Sequence, residues 1–164
     1  MNQCPCGLPT DYLACCGSYI EKLETAKTPE ALMRSRYTAY SQARVDYLRK
    51  TMLGKPLVGF NDHETALWAK QVKWLGLQVI TSYLDPKDEN TGFVEFIARY
   101  MEKNTIKTIH ELSQFQRHSG SWFYTDSLPP KTGKSTVKQK ISRNAPCPCG
   151  SQKKYKNCYA LIKD

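Results

Sequence analysis

Seven cysteines carry the clearest chemistry in this chain, and all of them stand near its two ends. Cys4, Cys6, Cys15 and Cys16 lie in QCPCGLPTDYLACCG, whereas Cys147, Cys149 and Cys158 lie in APCPCGSQKKYKNCYA. Each copy opens with Cys-Pro-Cys-Gly and returns to cysteine after a gap of eight residues. The first closes on Cys15-Cys16 and the second on Cys158-Tyr159. An odd cysteine count cannot pair fully, and one residue between two thiols is too short a spacing for an unstrained disulfide. The same spacing lets two sulfurs grip one ion, and tetrahedral thiolate coordination of Zn²⁺ is the chemistry that fits. Buried, inert cysteines are the plainer alternative. A scattered core set, however, would not repeat one spacing at both ends.

Charge sorts in the same way. The net charge is +9, yet residues 131–164 hold nine Lys/Arg against one acid, and the preceding 130 residues are close to neutral. No apolar run approaches the roughly 20 residues of a membrane span. MNQCPCG has no charged segment followed by an apolar one, so a secretory signal is not expected. The cytoplasm, where structural disulfides are disfavoured, is the expected compartment.

The pattern C-P-C-G, eight residues, then C-C or C-H resembles the SEC-C zinc motif, named from the carboxyl end of the SecA translocation ATPase. The resemblance implies that Cys4, Cys6, Cys15 and Cys16 form one ligand set. It implies that Cys147, Cys149 and Cys158 belong to a second, with Tyr159 where the last ligand should stand. A phenol is a poor substitute for a thiolate at neutral pH. Water, Asp164 or a group from elsewhere then completes the second site, or that copy is a weakened structural site, which is the preferred reading. With a motif at each end and LMRSRYTAY, WLGL and GFVEFIARY between them, nearly the whole chain resembles the bacterial YchJ family.

The elements that must position these motifs read as follows. Thr28 and Pro29 are a cap and first-turn pair, opening a helix expected over residues 28–52. A second helix is expected around Asp62–Val72, with Asn61 or Asp62 as cap. Strands are expected at Trp74–Leu84, Thr91–Met101 and Thr105–His118, followed by a short fourth in SGSWFYTDS. Helices first and an antiparallel meander afterwards give an α+β fold. The order resembles the nuclear transport factor 2-like cone, a curved sheet around a pocket whose mouth lies between sheet and helices. The expected division is a first SEC-C-type motif over 1–20, the cone domain over 27–128, a basic linker over 129–142 and a second motif over 143–164. GKST in the linker lacks the preceding glycine of a phosphate-binding loop, because Leu128 stands there.

Polar residues in apolar patterns mark the pocket candidates: Arg36, Tyr40, Glu111 and Asp126. They would serve acid–base chemistry or, as the favoured alternative, Arg36 pairs with Glu111 or Asp126 to fix helix on sheet. His110 and His118 read as strand-surface residues, and Trp74, Phe93, Phe96, Phe115 and Trp122 as core.

Lys153, Lys154, Tyr155 and Lys156 are the partner-binding candidates, because the first motif has no lysine in its loop and charge balance therefore cannot require them. The SecA resemblance implies an acidic protein or a ribosomal RNA surface as partner. So few charges, with one tyrosine, do not support sequence-specific reading of RNA or DNA. Two functions follow: a zinc-binding interaction module with a basic tail, which is favoured, or a small-molecule-binding protein or enzyme using the cone pocket.

Overall fold

The computed structural model describes residues 2–133 and 139–158. After a 3-10 turn at Tyr12–Ala14 come five helices: α1 (Cys16–Ile20), α2 (Pro29–Ser41), α3 (Val45–Lys50), α4 (Lys55–Val58) and α5 (Asp62–Gln71). Four long strands follow: β1 (Lys73–Asp85), β2 (Asp88–Glu102), β3 (Thr105–His118) and β4 (Ser121–Leu128). A short β5 (Gln139–Lys140) and a 3-10 turn at Tyr155–Asn157 complete the described elements. The four long strands pair antiparallel in chain order, and β5 adds to β3 by pairing Lys140 with Thr105. Among the described residues no helix is long and apolar enough to cross a membrane.

α2 starts where expected, with the Thr28 hydroxyl accepting from the Ala31 N–H at 3.1 Å. The single helix expected over 28–52 is two helices. Ala43 turns the chain with a φ of 53°, a left-handed conformation that ends one helix and redirects the next. The break folds α3 back so that its Leu48 carbonyl accepts from Arg36 of α2. α5 is capped by Asn61, whose side chain accepts from the Glu64 N–H at 3.0 Å.

The sheet curves because its register shifts. β1 and β2 slip between Trp74 and Gly76 and again between Val79 and Thr81, and such bulges bend and twist a strand. Val94, Phe96 and Ala98 of β2 join Leu32, Leu48, Phe115 and Trp122 in the core under the helices. Gly92 is required for this packing, because a Cβ there would stand 2.5 Å from Pro29 Cγ.

The opposite face of β2 departs from its sequence pattern. Glu95, a charged residue alternating with the apolar Val94 and Phe96, is wholly buried. The segment after β4 crosses this face as a strap. Lys131 Nζ sits 4.8 Å over the Tyr83 ring, and the Thr132 N–H donates to Glu95 Oε1 at 3.1 Å. Thr132 Oγ1 also donates to that oxygen, and His110 Nε2 lies 2.9 Å from it. His110 is therefore no surface residue, since its side chain is 3% exposed. Sequence alternation missed this because it assumed that the outer face of the sheet meets only water.

Candidate metal centres and the cone cavity

The two cysteine motifs fold alike, residue for residue. The Cys4 N–H donates to the Thr10 carbonyl at 3.0 Å and, in the second copy, Cys147 N–H donates to Lys153 carbonyl at 2.8 Å. Gly7 and Gly150 close the Cys-Pro-Cys turn by donating to the carbonyls of Cys4 and Cys147. Their φ values of 88° and 81° explain why glycine stands at both places. Each copy then has a bridge, Gln3 to Asp11 or Pro146 to Lys154, and a 3-10 turn that returns the chain to the next cysteine.

This backbone gathers the sulfurs. Cys4, Cys6, Cys15 and Cys16 present Sγ atoms all within 4.8 Å of one another, and so do Cys147, Cys149 and Cys158. Cys6 and Cys15 are 3.7 Å apart, and Cys149 and Cys158 are 3.5 Å apart. A disulfide needs about 2.05 Å, and all seven are free thiols. Four sulfurs at roughly 2.3 Å around one Zn²⁺ stand about 3.8 Å from each other by tetrahedral geometry. The clusters fit a metal ion; the first offers four thiolates and the second three, with Tyr159 and Asp164 outside the described residues.

The thiols also titrate as a coupled set. A hydrogen bond from Cys16 holds Cys6 down to about 5, against the cost of its burial. Burial, followed by hydrogen bonds to Cys4 and Cys6, pushes Cys15 up to about 12. Cys16 is pushed higher still by its bond to Cys6 and by burial. In the second cluster the Ser151 hydroxyl holds Cys149 down to about 6, and burial raises Cys147. Cys6 and Cys149 therefore ionise easily while Cys15, Cys16 and Cys147 resist it, a division that a bound cation would override.

The surroundings differ. The first cluster is built into α2. Thr38 Oγ1 lies 4.0 Å from Cys4 Sγ, and Arg34 donates from Nη1 to the Cys6 carbonyl at 3.1 Å. Arg34, itself paired with Glu30, thus ties the first loop to α2. The second cluster rests on the turn between β2 and β3. Tyr155 is 2% exposed and packs with Met101 and Cys147. Its hydroxyl lies 2.7 Å from both the Lys103 carbonyl and Asn104 Oδ1. Tyr155 therefore anchors the motif and is not available to a partner, contrary to the sequence expectation. Tyr12 occupies the same place in the first copy and bonds to Glu21 and Gln42. Aligning the two copies would have found this pair. Lys153 and Lys154 are exposed, and Lys156 is partly so.

Between sheet and helices lies a cavity of about 160 Å³ whose lining includes Arg36, Tyr40 and Glu111. Asp126 is not part of it; its carboxylate accepts from the next residue's N–H at 2.8 Å. Arg36 forms no ion pair with either acid. Its Nη1 donates to the Leu48 carbonyl at 2.9 Å and to Thr51 Oγ1 at 2.7 Å, and its guanidinium lies over the Tyr124 ring at 4.7 Å. Glu111 Oε1 instead accepts from Tyr124 and Ser113, at 2.9 and 2.7 Å. Tyr37, Tyr40, Trp68 and Trp74 form one edge-to-face cluster along the cavity, which joins the pocket candidate Tyr40 to Trp74, a residue read from the sequence as core.

Fold and motifs together define a class, an NTF2-like domain carrying a SEC-C motif. Residues 28–127 match the family described as the YchJ middle NTF2-like domain, and residues 143–158 match the SEC-C motif. A UPF0225 protein of Geobacter sulfurreducens is 39% identical, covering 96% of this chain and 97% of its own. Another, from Photorhabdus laumondii, is 38% identical over 94% of this chain and 96% of its own. The chain belongs to the YchJ, or UPF0225, family. The solution structure of a SEC-C motif containing protein from Rhodopseudomonas palustris superposes with a TM-score of 0.69 at 33% identity, covering 77% of this chain and 97% of that one. The crystal structure of a SEC-C motif containing protein from Psychrobacter arcticus gives 0.67 at 28% identity, covering 99% and 98%.

Proposed function

We propose that this protein binds zinc through its cysteine clusters, which staple both ends of the chain to the cone domain, and that the second motif presents a basic surface to an acidic partner. The observation that carries the reading is the repeated backbone, which brings sulfurs to metal-ligand separations twice in one chain. Zinc is preferred over harder ions because every ligand is a thiolate and the geometry is small and tetrahedral. Seven free thiols also need a reducing compartment, so the cytoplasm is part of the reading. The partner surface is assigned to Lys153, Lys154 and Lys156, which leave Tyr155 turned inward between them.

Elemental analysis and native mass spectrometry of freshly reduced protein test the metal. One zinc lost with Cys16→Ser, and a second lost with Cys158→Ser, support two sites. One zinc lost only with Cys16→Ser makes the second copy a basic tail without a stable site. No zinc in either preparation overturns the reading. The partner surface is tested on a polyanion column, where Lys153→Glu with Lys154→Glu is expected to lower the salt of elution clearly. An unchanged elution removes these lysines from the interface.

A further inference from the structure

We infer that the cone cavity is a binding site for a small, single-ring aromatic carboxylate, independent of either metal cluster. The volume sets the size, since about 160 Å³ matches cavities known to admit one benzene ring. Flat aromatic walls from Tyr40, Trp68 and Trp74 set the shape, because edge and face contacts to rings reward a planar guest.

Two polar groups set the chemistry. Trp74 Nε1 is buried and has no hydrogen-bond partner among the described residues. Leaving such a donor dry is costly, and native structures rarely do so without a purpose. Arg36 is 6% exposed and spends only Nη1 on protein acceptors; among the described residues its Nε and Nη2 edge bonds to nothing, and it makes no ion pair. That edge is the one with which a guanidinium takes a carboxylate through two parallel bonds.

Glu111 lines the same cavity, so a guest meets one charge of each sign. Glu111 does not satisfy Arg36 directly, because its Oε1 is already held by Ser113 and Tyr124. A carboxylate on the guest supplies what neither group finds in the protein, a direct partner for the Nε–Nη2 edge and an acceptor for the indole.

Benzoate is the probe, titrated into the full protein and followed by amide shifts and tryptophan fluorescence. Half-saturation is expected at about 1 mM or below, as suits nine non-hydrogen atoms, with shifts centred on Ala98, Ile109 and Ser113. Benzyl alcohol should bind at least tenfold more weakly, and benzylammonium should not bind. Trp74→Phe keeps the ring and removes the donor, so benzoate should weaken by about 3–10-fold. Arg36→Lys should weaken it about tenfold or more; its fold is checked first, because Arg36 also ties α3 to α2. Saturating benzoate with no shift at the cavity amides overturns the inference. So does equal binding of benzylammonium, or an affinity for benzoate unchanged in Trp74→Phe.

Discussion

The first and second cysteine motifs share a backbone and differ in what they sit on. Cys4, Cys6 and Cys16 of the first are buried in the main core with Leu32 and Ala39 of α2. The second makes a small cluster of its own, with Met101, Cys147 and Tyr155. One is part of the domain's foundation and the other is an attachment to a hairpin. The lesson is that the motif is a portable clasp, and that its energetic weight is decided by the surface under it rather than by its ligands.

That contrast can be broken most sharply at Cys16. Cys16→Ser should cost about 4 kcal/mol, seen as a fall of roughly 10 °C in the thermal midpoint, because metal and core are lost together. A fall of only a degree or two would make the first motif an attachment as well. Tyr155→Phe comes next: losing the bonds to Lys103 and Asn104 should cost tail docking about 1–2 kcal/mol. It should open Lys153 and Lys154 to trypsin while the midpoint of the cone holds. Tyr12→Phe should cost less, because its partners Glu21 and Gln42 are reached near solvent. Cys158→Ser should remove the second metal and leave the main midpoint within about 2 °C.

The smallest effect concerns the strap that leads to the second motif. Burial opposes ionisation of Glu95, but the Thr132 hydroxyl and His110 outweigh it and hold the carboxyl below its usual range. A depressed folded value means that the strap's stabilisation is complete above the ordinary glutamate value near 4.3 and is lost as pH falls through the lower, folded one. Hydrogen exchange at Thr132 should therefore stay slow from neutral pH to mild acid and quicken only below that point, after correction for intrinsic rates. Glu95→Gln should abolish the dependence.

Much of this was legible in the residues. The cysteine spacing, the caps at Thr28 and Asn61, and the four strands are local signals, and each is found in the structure. What stayed hidden is long-range. Ala43 breaks a helix whose apolar spacing runs on unbroken, because the return of α3 onto Arg36 offsets the roughly 1–2 kcal/mol that a left-handed turn costs an alanine. Glu95 and His110 are fifteen positions apart and become partners only through the β2–β3 register and the strap above it. Tyr155 looked like a surface residue among lysines, since nothing local announces the hairpin it plugs into. The expected Arg36–Glu111 pair failed for a related reason: Tyr124, from β4, lies under the guanidinium and bonds to the carboxylate.

The docking sites also set an order of assembly. A chain grows from its first residue at about 5–20 residues per second. The first clasp closes on α2, with Cys4 and Thr38 separated by only 34 positions, so it can form while the sheet is still unmade. The second reaches back 52 positions from Tyr155 to Lys103, onto a hairpin already paired. A metal held by the first cluster would thus meet a nascent chain, whereas one held by the second would meet a finished domain.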